Sequence, residues 1–138
     1  MYLLDTNVVS ELRRARPHAA VSAWLREVVD SDVHLSAVTI GELQAGIEIT
    51  REQDSGKVAE IEAWLDRVAE TYNVLPMDAL TFRCWARLMH RRPDQLIEDA
   101  MIAATAEVHR LVVVTRNVRD FKQLGIRTLN PFLGEKGG

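Results

Sequence analysis

Apolar positions along this chain follow two rhythms: short unbroken runs, and longer stretches that repeat every three or four residues. The runs Tyr2-Leu3-Leu4, Val33 to Ala37, Val74-Leu75-Pro76, Leu111 to Val114 and Ile126 to Leu129 predict five strands. Helical spacing runs from Val8 to Leu12, and from His18 to Val29 on the face Val21, Trp24, Leu25 and Val28. It resumes over Val38 to about Thr50, Asp54 to Tyr72, Asp78 to about Arg91 and Ile97 to His109, with a short helical piece within Thr115 to Lys122. Pro17, Asp54-Ser55-Gly56 and Arg91-Arg92-Pro93-Asp94 mark breaks, while Asp78, with Ser36 or Thr39, offers helix caps. The run Leu111-Val112-Val113-Val114 is β-branched enough to be buried on both faces, as in a parallel sheet. Strands alternating with helices predict a three-layer α/β/α sandwich around a mostly parallel central sheet. One domain is expected over residues 1–133, followed by a flexible tail from Gly134 to Gly138.

Composition narrows this only a little. The 138 residues are 47% hydrophobic and 27% charged, ordinary for a soluble globular domain. Cys84 is the only cysteine, so no internal disulfide can form, which fits a reducing compartment. The chain opens directly on a strand-like run, with no charged-then-apolar leader, and no apolar stretch is long enough to span a bilayer. A cytoplasmic location is expected, with no membrane partner. A net charge of −3 disfavours a module that binds nucleic acid by affinity alone. It disfavours an enzyme less, because acidic metal ligands lower the formal charge and bound cations restore it.

The chemistry lies in acids that interrupt the apolar pattern. Asp5 follows the first strand, at the carboxyl end where open α/β sheets place their ligands. Glu42 falls on the stripe Val38, Ala45, Gly46 and Ile49 of the third helix, which is expected to be buried. Asp99 heads the face formed by Ile102, Ala103 and Ala106, and Asp120 lies in the turn after the strand Leu111 to Val114. Each acid also has a plain structural role open to it. Asp5 could cap the first helix, Asp120 could order a turn, and Asp99 or its neighbour Glu98 could serve a helix dipole. Brought together, however, like charges repel unless a cation intervenes. No set of Lys or Arg on matching inward faces is visible to neutralise them. Hard oxygen ligands select Mg²⁺ or Mn²⁺ rather than zinc, and such ions support phosphodiester hydrolysis.

Four stretches carry a family resemblance: Leu4-Asp5-Thr6-Asn7, Thr39-Ile40-Gly41-Glu42-Leu43, Glu98-Asp99-Ala100-Met101-Ile102-Ala103-Ala104-Thr105-Ala106, and Thr115-Arg116-Asn117 with Asp120-Phe121. In this order they resemble a PIN domain, and more narrowly the VapC or FitB-type toxin ribonucleases of prokaryotic toxin–antitoxin pairs. The likeness runs from Tyr2 to about Phe132. It implies a PIN-like sandwich and a metal-dependent endoribonuclease. Asp5, Asp99 and Asp120 would then bind Mg²⁺ or Mn²⁺, and Glu42 would complete the catalytic quartet. Asn7, Thr115, Arg116 and Asn117 match positions that hold substrate, phosphate or water. The resemblance further implies a homodimer, an RNA substrate, and a cognate antitoxin protein whose C-terminal segment reaches the active site. The reading that competes with it is a cation-regulated module that binds RNA or protein without catalysis.

The remaining candidates have plainer readings. Arg83, Arg87 and Arg91 recur every four residues, with Arg92 beside them, and read as a solvated face before a phosphate-tracking ridge. His18, His34, His90 and His109 lack metal-ligand spacing, Cys84 lacks a His partner, and the three tryptophans sit at helical core spacing.

Overall fold

The computed structural model describes residues 1–133; the tail expected over residues 134–138 lies outside them. The five strands are β1 (Tyr2–Leu4), β2 (Val33–Ser36), β3 (Asn73–Leu75), β4 (Val112–Val114) and β5 (Thr128–Leu129). They form one sheet in the order β3-β2-β1-β4-β5, and every pairing is parallel. The chain therefore works outward from β1 to β3, then returns to the other side of β1 and works outward again. The reversal falls between β1 and β4, and crevices at such switch points are where open α/β sheets bind ligands.

Among the described residues seven helices flank the sheet: α1 (Thr6–Glu11), α2 (Ala19–Glu27), α3 (Ala37–Gln53), α4 (Ser55–Thr71), α5 (Ala79–Met89), α6 (Ile97–His109) and α7 (Val118–Gln123). Alternation along each central strand sends neighbouring side chains into opposite cores. Leu3 and Val113 face Ala100, Ile102, Ala103, Ala106 and Phe121 from α6 and α7, with Trp85 of α5 against them. Leu4 and Val114 face Val8, Val9, Val21 and Val68 from α1, α2 and α4. The predicted burial of β4 on both faces holds, as does the predicted apolar face of α2. The expected caps form at Ser36, whose Oγ accepts from Val38 N (3.2 Å), and at Asp78, whose Oδ1 accepts from Thr81 N (2.9 Å); Asp54, in the predicted break, also caps α4 by accepting from Gly56 N (3.1 Å).

The structure corrects the face of α3. Ala45 and Gly46 are exposed and Ile49 is 59% exposed, so the expected stripe does not form. The inward residues are Thr39, Ile40, Leu43 and Ile47, because α3 packs lengthwise on α4, where Val58, Ile61 and Leu65 form the matching ridge. Glu42 thus stands beside the apolar face rather than on it. It lies one turn after Val38, which packs against the α5–α6 side of the core. Its position at the sheet edge has another cause, given by its hydrogen bonds below. Three short 3₁₀ turns, Asp30–Asp32, Asp94–Leu96 and Pro131–Leu133, were not foreseen by periodicity, being too brief to show any.

Candidate active site

Asp5 is buried at the end of β1, and its backbone N–H continues the sheet by donating to Val114 O (2.9 Å). Its carboxylate is met only by neutral donors. Oδ1 accepts from Thr6 N (2.8 Å), which also makes Asp5 the cap of α1, and Oδ2 accepts from Asn7 Nδ2 (3.0 Å) and Thr115 Oγ1 (2.7 Å). Thr115 is fully buried one residue beyond β4, and its N–H donates to Leu129 O (2.9 Å). The switch between β1 and β4 thus places Asp5 and Thr115 side by side although 110 positions separate them.

The network runs on from Thr115. Its Oγ1 accepts from Asn117 N (2.8 Å), and Asn117 Nδ2 reaches both Asp99 Oδ2 (3.1 Å) and Asp120 Oδ2 (2.8 Å). One amide therefore stands between two carboxylates, one heading α6 and one in the first turn of α7. On the other flank, Thr6 Oγ1 donates to Glu42 Oε1 (3.0 Å) and lies 3.0 Å from Thr39 Oγ1. Thr6 is thus the link that ties α3 to the end of β1 and holds Glu42 at the crevice. All four acids and Asn7, Thr115 and Asn117 belong to one hydrogen-bonded assembly. Arg116 joins it through its backbone, donating from N to Asn7 Oδ1 (3.4 Å).

The electrostatics are those of uncompensated negative charge. Among the described residues none of the four acids is ion-paired; the ion pairs there are Arg14–Glu11, Arg51–Glu48 and Arg51–Glu62. Burial pushes the Asp99 carboxyl up to about 6, and the charges of Asp5, Asp120, Glu42 and Glu98 add to the rise. Burial likewise raises Asp5, against the pull of its three donors, and raises Glu42, with Asp5 and Glu98 contributing. Among the described residues no three acidic, imidazole or thiol groups converge at metal-ligand spacing. The acids are instead held as an open set, with Asn117 bridging one pair. A divalent cation fits this donor set on chemical grounds: the oxygens are hard, their charge is unmet, and their hydrogen bonds come from groups that orient a carboxylate without neutralising it.

Two participants escaped the sequence reading, Thr6 and Thr39. Both lie inside the motifs already singled out, but a hydroxyl's partner across 36 positions leaves no periodic trace. The arginines Arg83, Arg87 and Arg91 are exposed and make no ion pair among the described residues, consistent with a solvated face. Cys84 is a buried core residue, its thiol 3.5 Å from Glu107 Oε2, and Trp24, Trp64 and Trp85 all pack against the cores.

With this geometry in place, comparison with known proteins is informative. The family model for the PIN domain matches residues 2–126. Toxin FitB of Neisseria gonorrhoeae is 33% identical over 138 residues, covering 96% of this chain and 99% of that protein. The VapC ribonuclease Y4jK of Sinorhizobium fredii is 35% identical over 142 residues, covering 96% and 98%. The crystal structure of FitAcB from Neisseria gonorrhoeae superposes with a TM-score of 0.85 at 32% identity, covering 96% of this chain and 99% of that one.

Proposed function

The chain belongs to the PIN-domain family, and on that premise we propose that it is a metal-dependent endoribonuclease acting as the toxin of a toxin–antitoxin pair. The observation that carries this reading is the four-acid crevice at the sheet's switch point, held by neutral donors and left without a cationic partner. Its relatives named as a toxin and as a VapC ribonuclease support the substrate and the biological role. The single α/β unit of residues 1–133 carries the activity, in the cytoplasm. Its partners are RNA, a cognate antitoxin and a second copy of the chain. No helix among the described residues is long and apolar enough to cross a membrane.

Asp5, Asp99 and Asp120 would hold the cation, Mg²⁺ or Mn²⁺, which when bound supplies an activated water and offsets charge on the phosphate. The residues of the chain divide the remaining work. Thr6 N, Asn7 and Thr115 fix both oxygens of Asp5, so this carboxylate stays aimed at the crevice. Asn117 sets the spacing of Asp99 and Asp120. Glu42 Oε1 accepts from Thr6 Oγ1, which leaves Oε2 for a water, and burial raises its pKa in the direction that favours taking a proton. With the carboxylates engaged as cation ligands and proton acceptor, hydrolysis would proceed by attack of water on phosphorus, without a covalent intermediate.

The test is cleavage of a mixed RNA pool by the purified, antitoxin-free chain with Mg²⁺, with Mn²⁺ and with EDTA, beside Asp5→Asn and Asp99→Asn checked for folding by circular dichroism. Cutting that requires the metal and disappears in both folded variants is expected. RNA binding without cutting would overturn the nuclease and favour the binding module.

A further inference from the structure

Arg116 sits between the two residues that organise the acids, Thr115 and Asn117, yet its side chain avoids them. The guanidinium carbon lies 3.8 Å from the centre of the Phe132 ring, and among the described residues Arg116 makes no ion pair. For an exposed arginine next to residues that bind acids, a charge-assisted bond to a carboxylate is the usual alternative. Here the ring supplies a competing seat, through attraction of the cation to the aromatic face.

Phe132 is itself held in place. Its N–H donates to Asn130 Oδ1 (3.0 Å), its ring packs in part against the core of Leu4, Val9 and Val21, and His18 meets it edge-on at 5.1 Å between centroids. The platform therefore joins the start of α2 and the last 3₁₀ turn to the mouth of the crevice. The ring takes up only one side of the guanidinium, whose five N–H donors suit the oxygens of an anion.

Resting on the ribonuclease reading, we infer that Phe132 is a positioning residue, which keeps Arg116 off the acids and presents it to a backbone phosphate of RNA beside the scissile one. Without the platform, Arg116 would both lose its aim and tend to neutralise a carboxylate that the cation needs.

The experiment measures binding of a labelled single-stranded RNA of mixed sequence by fluorescence anisotropy, in an Asp99→Asn background so that RNA is not cut. Phe132→Leu, Phe132→Trp, Arg116→Ala and the Phe132→Leu/Arg116→Ala double variant are compared, with thermal unfolding as the check on folding. Phe132→Leu should weaken binding about two- to fivefold, the size of one exposed cation–π contact, and Phe132→Trp should restore it. Arg116→Ala should lower the slope of log affinity against log salt by about 0.7, the mark of one lost phosphate contact on a single strand. Adding Phe132→Leu to Arg116→Ala should then change nothing further. In the cutting enzyme the loss in Phe132→Leu should fall on KM. A Phe132→Leu effect that persists in the Arg116→Ala background would overturn the inference, since the ring would then contact RNA itself, and so would no effect at all. If RNA binds in this pattern but the wild-type chain never cuts, the ribonuclease reading falls and the platform stands. If it cuts and Phe132→Leu is silent, the reverse holds.

Discussion

Two of the acids on helix α3, Glu42 and Glu48, meet opposite fates less than two turns apart. Glu48 lies on the exposed flank, where Arg51 Nε (2.9 Å), Arg51 Nη2 (3.3 Å) and Gln44 Nε2 (2.7 Å) bind its carboxylate; those bonds hold its pKa below the usual range. Arg51 also reaches Glu62 Oε1 (2.8 Å) and so pins α3 to α4. Glu42, nearer the sheet, has a threonine hydroxyl and three more acids for company, and its pKa is raised. Both places gather carboxylates. In one the chain supplies the cation, in the other it withholds it. The difference separates a group of acids neutralised within the scaffold from one whose charge is left unmet.

The largest effect should come from breaking the withheld side. Asp5→Asn or Asp99→Asn should lower RNA cleavage by more than about a hundredfold, beyond the ten- to hundredfold typical of residues that merely support a metal ligand. Removing the metal with EDTA should do the same. Glu48→Gln, assayed in parallel, should leave cleavage intact. Equal losses at Glu48 and Asp99 would erase the distinction between the two clusters.

Next in size is the support beneath the acids. Thr115→Val keeps the volume of a fully buried side chain but removes the donor to Asp5 Oδ2 and the acceptor for Asn117 N. Activity should fall about ten- to hundredfold. Stability should fall by about 1–3 kcal/mol, the usual cost of stranding buried polar groups, as read by chemical denaturation. Asn117→Ala should resemble it in activity.

How much of this was legible beforehand depends on whether an interaction is local. Asp5, Asp99 and Asp120 could be found because each lies at the end of a periodic element, where a polar residue stands out against its neighbours. The sheet could be found for the same reason, Leu111 to Val114 above all. The face of α3 could not, because its register is set by α4 and not by its own apolar count: Ile49 looks as buried as Ile47 until the partner helix is in place. Thr6, Thr39 and the Phe132 platform were equally hidden. Each joins positions far apart in the chain through one hydroxyl or one ring, and single contacts have no period.

A finer contrast is the response to pH. Asp99 titrates near 6 in the folded chain against an ordinary 3.8, so the metal-free folded state holds a proton that the unfolded state has released. Its contribution to stability is therefore lost as pH rises from about 4 to 6 and is level above that. Glu48 has the opposite sign: its lowered pKa favours the folded state above the ordinary carboxylate range, and that benefit fades as pH falls. In EDTA, the unfolding midpoint of Asp99→Asn minus that of the wild type should grow between pH 4 and 6, and added Mg²⁺ should shrink it by binding only the wild-type site. A difference that stays flat with pH would mean that Asp99 is not charged against its neighbours.

The smallest effect should be at Arg51, and its smallness is informative. Arg51→Ala removes its pair with Glu48 within α3 and the one with Glu62 that joins α3 to α4, but the partners are exposed and water replaces much of what is lost. The unfolding temperature should fall by at most about 3 °C, most visibly at low salt, with cleavage unchanged. Arg51 thus serves acids that barely need it, while among the described residues no arginine pairs with the four acids whose charge is unmet. A large loss of activity in Arg51→Ala would mean that the ion pairs of Arg51 set the position of Glu42, and the two ends of the helix would then be one device rather than two.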